Sequence, residues 1–341
     1  MALLPPFIRA SRMRSTPTRP AAGAPADEVL LDAPDDRLGP ALVAAGRGEF
    51  EPAAALLALT RATADWEHRD RYVVRLAAFA RSRGEWFETW RAADPHDPDG
   101  LLVEAQLAVD HAWTSPARAE LLRGVSPLIT AAAQLDARDP VPWRVALTHA
   151  RGARAGHKYF GELWEAAVRR APHHYGCHAA ALHYLAASWQ GSHRECFDFA
   201  ERAAQDAPAD SLVQALPAHA AFGYLSDGCG AEVARERLDA AADRAVAFSA
   251  RFAAASPWPA EARNELMYVL VRLGRWSDAL AQLDLIGPYV TSFPWDRLAA
   301  DPLAHFLHVR DQIRAATATG APGVRTGAWG GRTGRARSVD H

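Results

Sequence analysis

NELMYVLVRLGRWSDALAQLDLI, residues 264–286, decides the fold class. Leu266, Val269, Leu270 and Leu273 fall at i, i+3, i+4 and i+7, the spacing that gathers apolar side chains on one face of an α-helix. Gly274 interrupts the run, and Trp276, Ala279 and Leu283 follow in a second stretch. Glycine permits a tight bend between two helices, and the aromatic after it can pack back on the first. The same signature stands at Gly48-Glu49-Phe50 and Gly84-Glu85-Trp86. Tyr72, Leu76, Phe79 and Ala80 repeat the helical spacing, and alternating strand-like runs are absent.

Breaks recur along the chain at Asp94-Pro95, Asp139-Pro140, Ala171-Pro172, Ala207-Pro208, Ser256-Pro257 and Asp301-Pro302. At each, proline ends one helix and presets φ for the next. Pro140 to Pro172 spans 32 residues, and Pro172 to Pro208 and Gly48 to Gly84 each span 36. Periods of this length mark stacked helical hairpins. The pattern resembles tetratricopeptide repeats. The fullest copy is Gly191, Ala200, Ala203 and Pro208. Asn264 to Ile286 supplies Gly274, Trp276, Ala279 and Leu283, and Arg37 to Thr60 supplies Ala41, Gly48, Phe50, Ala53 and Leu57. Met267 and Tyr184 depart from the pattern where the family has small residues, and 113–139 follows no repeat. A narrower similarity is to uncharacterised bacterial proteins with a Trp-x-Gly-Ser turn, here Trp189-Gln190-Gly191-Ser192, and a closing Phe293-Pro294-Trp295 segment followed by Asp301-Pro302 and Phe306 to Arg310. No activity comes with it.

The resemblance, degenerate over residues 35–315, implies an all-α domain at 27–318. It would be a right-handed α-solenoid of antiparallel helix pairs whose first helices line a concave groove. Mapping the family's groove-facing positions onto this chain gives Arg71, Arg81, His149, His178, Trp189, Asn264, Tyr268 and Arg272 as partner-binding residues. Arginine, histidine and aromatic side chains suit an acidic or carboxylate-bearing protein segment. The expected function is therefore a non-enzymatic adaptor. The family's Lys and Asn clamp for chain termini is not reproduced.

The 341 residues are 49% hydrophobic and 23% charged, with a formal net charge of -2. That composition supports a sizeable core and excludes disorder of the whole chain. It supplies no overall field for nucleic acid or an anionic membrane. Lys158 is the one lysine among 38 basic residues, as GC-rich bacterial codons produce. Cys177, Cys196 and Cys229 form no Cys-x-x-Cys, which fits a reducing cytoplasm. The apolar Met1 to Ile8 precedes its arginines, the reverse of a secretory signal. No uncharged run nears the ~20 residues of a membrane span. Residues 1–26 and 319–341 read as disordered arms.

Two alternatives remain open. His173, His174, Cys177, His178, His183, His193 and Cys196 crowd the window 173–196 with metal-ligand types. If Pro172 opens a helix, His174 and His178 share a face. His193 then lies roughly 14 Å from His178 along the helix pair, too far for one metal. No metal or cofactor is therefore assigned. The Arg and Gly tail, with Arg325, Arg332, Arg335, Arg337 and Trp329, could touch nucleic acid, although four arginines more often only solubilise. No nucleophile elbow or phosphate loop is present, so no catalytic residue is assigned. Asp94 to Asp99 reads as turn and cap residues. Trp258 and Trp295, beside prolines, read as surface anchors.

Overall fold

The computed structural model describes residues 29–318, so both terminal arms lie outside the described residues. Their regular structure is almost wholly helical. The helices are α1 (Leu38–Ala45), α2 (Glu51–Ala62), α3 (Trp66–Ser82), α4 (Glu85–Ala93), α5 (Pro98–Thr114), α6 (Arg118–Leu135), α7 (Val141–Gly152) and α8 (His157–Arg170). There follow α9 (Tyr175–Tyr184), α10 (His193–Asp206), a 3-10 turn (Leu212–Ala215), α11 (Leu216–Asp227) and α12 (Arg235–Ser249). The last four are α13 (Ala260–Arg272), α14 (Trp276–Ile286), α15 (Ser292–Leu298) and α16 (Pro302–Ala318). Two-residue strands β1 (Leu30–Leu31) and β2 (Tyr289–Val290) pair in parallel, Leu30 opposite Tyr289 and Leu31 opposite Val290.

Odd-numbered helices form a continuous row, each packing on the next from α1 to α15, while even-numbered helices pack beside them. Buried side chains run through both layers. Trp86, Trp90, Tyr72 and Leu102 fill the first half, and Phe197, Met267, Trp295 and Phe306 fill the second. The stretch 113–139 does not divide the fold. It contains α6, whose Leu122, Val125, Ile129 and Ala132 join the same core as Val141 and Val145. Pro127 sits inside α6.

The three Gly-x-aromatic turns are built differently. Gly48 and Gly274 have φ +89 and +69, a conformation that disfavours any side chain, whereas Gly84 has φ -85. Ser192 caps α10, its Oγ accepting the Glu195 N–H at 3.2 Å while the Glu195 carboxylate returns to that hydroxyl. Pro172 does not open α9. Helix α9 begins at Tyr175, and His174 is its cap, with Nδ1 accepting the Cys177 N–H at 3.2 Å. His174 therefore lies outside the helix that carries His178.

The row curls until distant members meet. Arg71 of α3 donates to the carbonyls of Pro257 at 3.1 Å and Trp258 at 2.7 Å, just before α13. Glu67 of α3 accepts the Tyr175 N–H at 2.7 Å, which ties α3 to α9. Asp32, following β1, pairs with Arg75 at 3.0 Å and accepts the Ser292 N–H at 2.8 Å. Arg69, 1% exposed, bridges Asp99 and Asp139 at 2.6 Å each and so locks α3, α5 and the start of α7 together. Asp99 is thus an interior ion-pair partner, and Asp97 is the cap. No helix among the described residues is long and apolar enough to cross a membrane.

Candidate functional site

The residues expected to line a groove are dispersed. Asn264 is fully buried, donating to Ala260 and Tyr289 carbonyls at 2.8 and 3.0 Å and accepting the Trp295 indole N–H at 3.0 Å. Trp295 is therefore interior, not a surface anchor. Tyr268 is buried, and its hydroxyl accepts from Arg272 at 2.8 Å. His178 is buried edge-on to Trp164, its Nδ1 3.0 Å from the His174 carbonyl. His149 Nε2 lies 2.7 Å from the Leu122 carbonyl. Arg71 and Trp258 close the row on one another, the guanidinium 4.9 Å from the ring centroid. Arg81 is exposed on α3. Trp189 alone of this set lines the cavity between α7, α9, α11 and α15.

The histidine and cysteine window does not converge either. His174 is capped onto Cys177, and His193 Nε2 donates to the Cys229 carbonyl at 2.5 Å. Cys196 Sγ lies 3.2 Å from the Leu185 carbonyl, and burial pushes its thiol up to about 12. Among the described residues no three ligand-type side chains are placed to hold a metal ion. Trp329 and the tail arginines lie outside the described residues.

The cavity, about 250 Å³, opens between α7, α9, α11, α15 and the Trp189 turn. Arg151, in the last turn of α7, brings its guanidinium carbon to 4.4 Å from the Trp113 ring centroid and 5.7 Å from that of Trp189. A guanidinium over aromatic faces is attracted by their quadrupoles. Among the described residues no carboxylate pairs with Arg151. Burial, then the charges of Arg297 and Arg118, draw its pKa down to about 10. Arg297, exposed on α15, faces the same space.

Opposite stand two histidines. His219 of α11 meets Glu265 of α13 at 2.7 Å through Nδ1, and its Nε2 lies 3.0 Å from His183 Nε2 of α9. Burial opposes charge on His219, but Glu265 raises its pKa, with Glu261 adding to the effect. Burial, followed by His219, Arg151 and Arg297, holds His183 well below the ordinary histidine value. Leu182, Phe222, Phe293 and Leu298 form the apolar wall. Asp227 lines the site as well, accepting from the Ser188 hydroxyl at 3.1 Å.

Arg151, His219 and Arg297 carried no sequence signal. Arg151 reads as an ordinary basic residue at a helix C-terminus, and His219 as a lone histidine in an apolar run. Their common element is the row of odd-numbered helices that brings α7, α11 and α15 to one place. The site they make is a cationic cavity with an aromatic wall in an all-α protein. Searches against family models, curated proteins and solved structures find no match.

Proposed function

We propose that this chain is a cytoplasmic, tetratricopeptide-like right-handed solenoid of antiparallel helix pairs. It acts as a non-enzymatic adaptor that anchors an acidic segment of a partner protein in the Arg151 cavity. The continuous row of odd-numbered helices joined through short turns supports the solenoid reading. Arg71 of α3 joins the Pro257-Trp258 segment and Glu67 of α3 joins α9 across the row, so the partner would dock at the cavity mouth instead of threading a wide groove.

The observation that carries this reading is Arg151, a half-buried cation on two indole rings without a carboxylate partner among the described residues. Leaving a charge unpaired in a low-dielectric site is costly, and an incoming carboxylate would relieve that cost with charge-assisted, bidentate hydrogen bonds. The nearby Cys196 thiol is held protonated, which favours binding over nucleophilic chemistry.

Fluorescence polarisation with a panel of acidic peptides and their amidated counterparts tests the assignment. Charge-assisted bonds of about 1.5–3 kcal/mol correspond to roughly a tenfold or greater loss of affinity in Arg151→Met. Acidic peptides should bind the native chain and lose that affinity in the variant, with helical content unchanged. Equal binding of acidic and amidated peptides, or an unaffected variant, contradicts the reading.

A further inference from the structure

The cavity wall ends in a chain of titratable groups that simple anion binding leaves without a role. Glu265 is 1% exposed and His219 6% exposed, while His183 is half-buried at the cavity. The chain thus runs from a sealed carboxylate, over 2.7 Å and then 3.0 Å, to an imidazole on the wall. Where two ring nitrogens face each other at hydrogen-bond distance, one carries hydrogen and the other is bare. The negative charge of Glu265, 2.7 Å from His219 Nδ1, favours the imidazolium at His219, whose Nε2–H then donates to His183 Nε2. His183 is then the neutral member. Its Nδ1 makes no hydrogen bond with the described residues.

We propose that the cavity takes up an organic carboxylate together with a proton, and that His183 receives the proton. This rests on the adaptor reading of the cavity and gives the ligand its chemistry, a carboxylate on an apolar body. Apart from burial, what keeps His183 neutral is positive charge on three sides: Arg151 from α7, His219 from α11 and Arg297 from α15. Glu265 and Glu261 act through His219, and Asp227 stands at the same wall, bonded to Ser188. From α10, His193 and Cys196 face the cavity but are hydrogen-bonded to backbone carbonyls.

A carboxylate between Arg151 and Arg297 cancels the field they impose, so a proton from solvent then adds to His183. The new N–H bond forms at His183 Nε2 as the buffer acid gives up its proton, and the hydrogen bond from His219 is lost. With both imidazoles charged, the two Nε2 atoms both carry hydrogen and repel. The 3.0 Å contact between α9 and α11 therefore opens. Leu182, Phe222, Phe293 and Leu298 can then close on the apolar body.

Isothermal titration of the full chain with phenylacetate at about pH 6, in two buffers of different ionisation enthalpy, reads the proton directly. The apparent heats should differ between buffers with the sign of proton uptake, and affinity should fall several-fold by about pH 8. His183→Gln can still accept from His219 but cannot be protonated. It should bind phenylacetate with heats independent of buffer and affinity independent of pH. Binding by the native chain with equal heats in both buffers overturns proton coupling and leaves the anchor reading standing. No binding of phenylacetate contradicts the anchor reading itself, and this arm needs no variant.

Discussion

Arg151 is half-buried, feels the like charges of Arg297 and Arg118, and rests on indole faces with no carboxylate beside it among the described residues. Two buried histidines respond to pH in opposite senses. His178 is buried with its pKa lowered to about 4, so the unfolded chain binds its proton more tightly than the folded one. Its contribution is therefore present above the ordinary value of 6.5 and is lost as pH falls toward 4. His219 is raised, so its contribution is complete below 6.5 and is lost as pH rises through the raised value. Urea unfolding of the native chain, His178→Phe and His219→Gln across pH checks both. His178→Phe should flatten the acid limb by up to about 3 kcal/mol, and His219→Gln should flatten the neutral-to-alkaline limb. A variant whose profile parallels the native one contradicts its assignment. At this scale the sequence named Trp189 and His183 but not Arg151, His219 or Arg297. Each of those stands alone in its own segment and becomes part of a site only through packing.

The Gly274 turn between α13 and α14 followed the sequence, because a positive φ there calls for glycine. The α9 start was missed because an imidazole, not a hydroxyl or carboxylate, accepts the capping N–H. Asn264 was misplaced for a related reason. The family mapping leaves one face of a first helix open, whereas α13 packs against α11, α12, α14 and α15 and also touches β2. The Trp189 turn supplies an element-level test. A Cβ at Gly191 would lie 2.4 Å from the Leu185 carbonyl oxygen, while one at Gly124 in α6 meets nothing within 4 Å. Thermal unfolding should show Gly191→Ala destabilised by about 1–3 kcal/mol and Gly124→Ala stabilised by about 0.5–1 kcal/mol. Equal behaviour of the two would contradict the close approach that holds Trp189 at the cavity.

For the whole molecule, the all-α class and the absence of a break at 113–139 have different standing in the sequence. Periodicity declared the first, whereas the second depends on α6 finding α5 and α7. The closure of the row was not legible, because it joins residues almost two hundred positions apart through side chain to carbonyl bonds that leave no pattern. In Arg71→Met, amide exchange should rise around Pro257 to Ala260 and at Leu30 and Asp32, while α5 and α6 stay protected. Unchanged exchange at the closure would show that Arg71 does not hold it. The cavity itself is tested most directly by following indole and guanidinium N–H resonances during titration with an acidic peptide. Binding in the cavity predicts shifts at Trp113, Trp189 and the Arg151 Nε–H, with Trp258 and Arg71 unmoved. Shifts confined to Trp258 and Arg71, or none at Arg151 under saturating peptide, would contradict it.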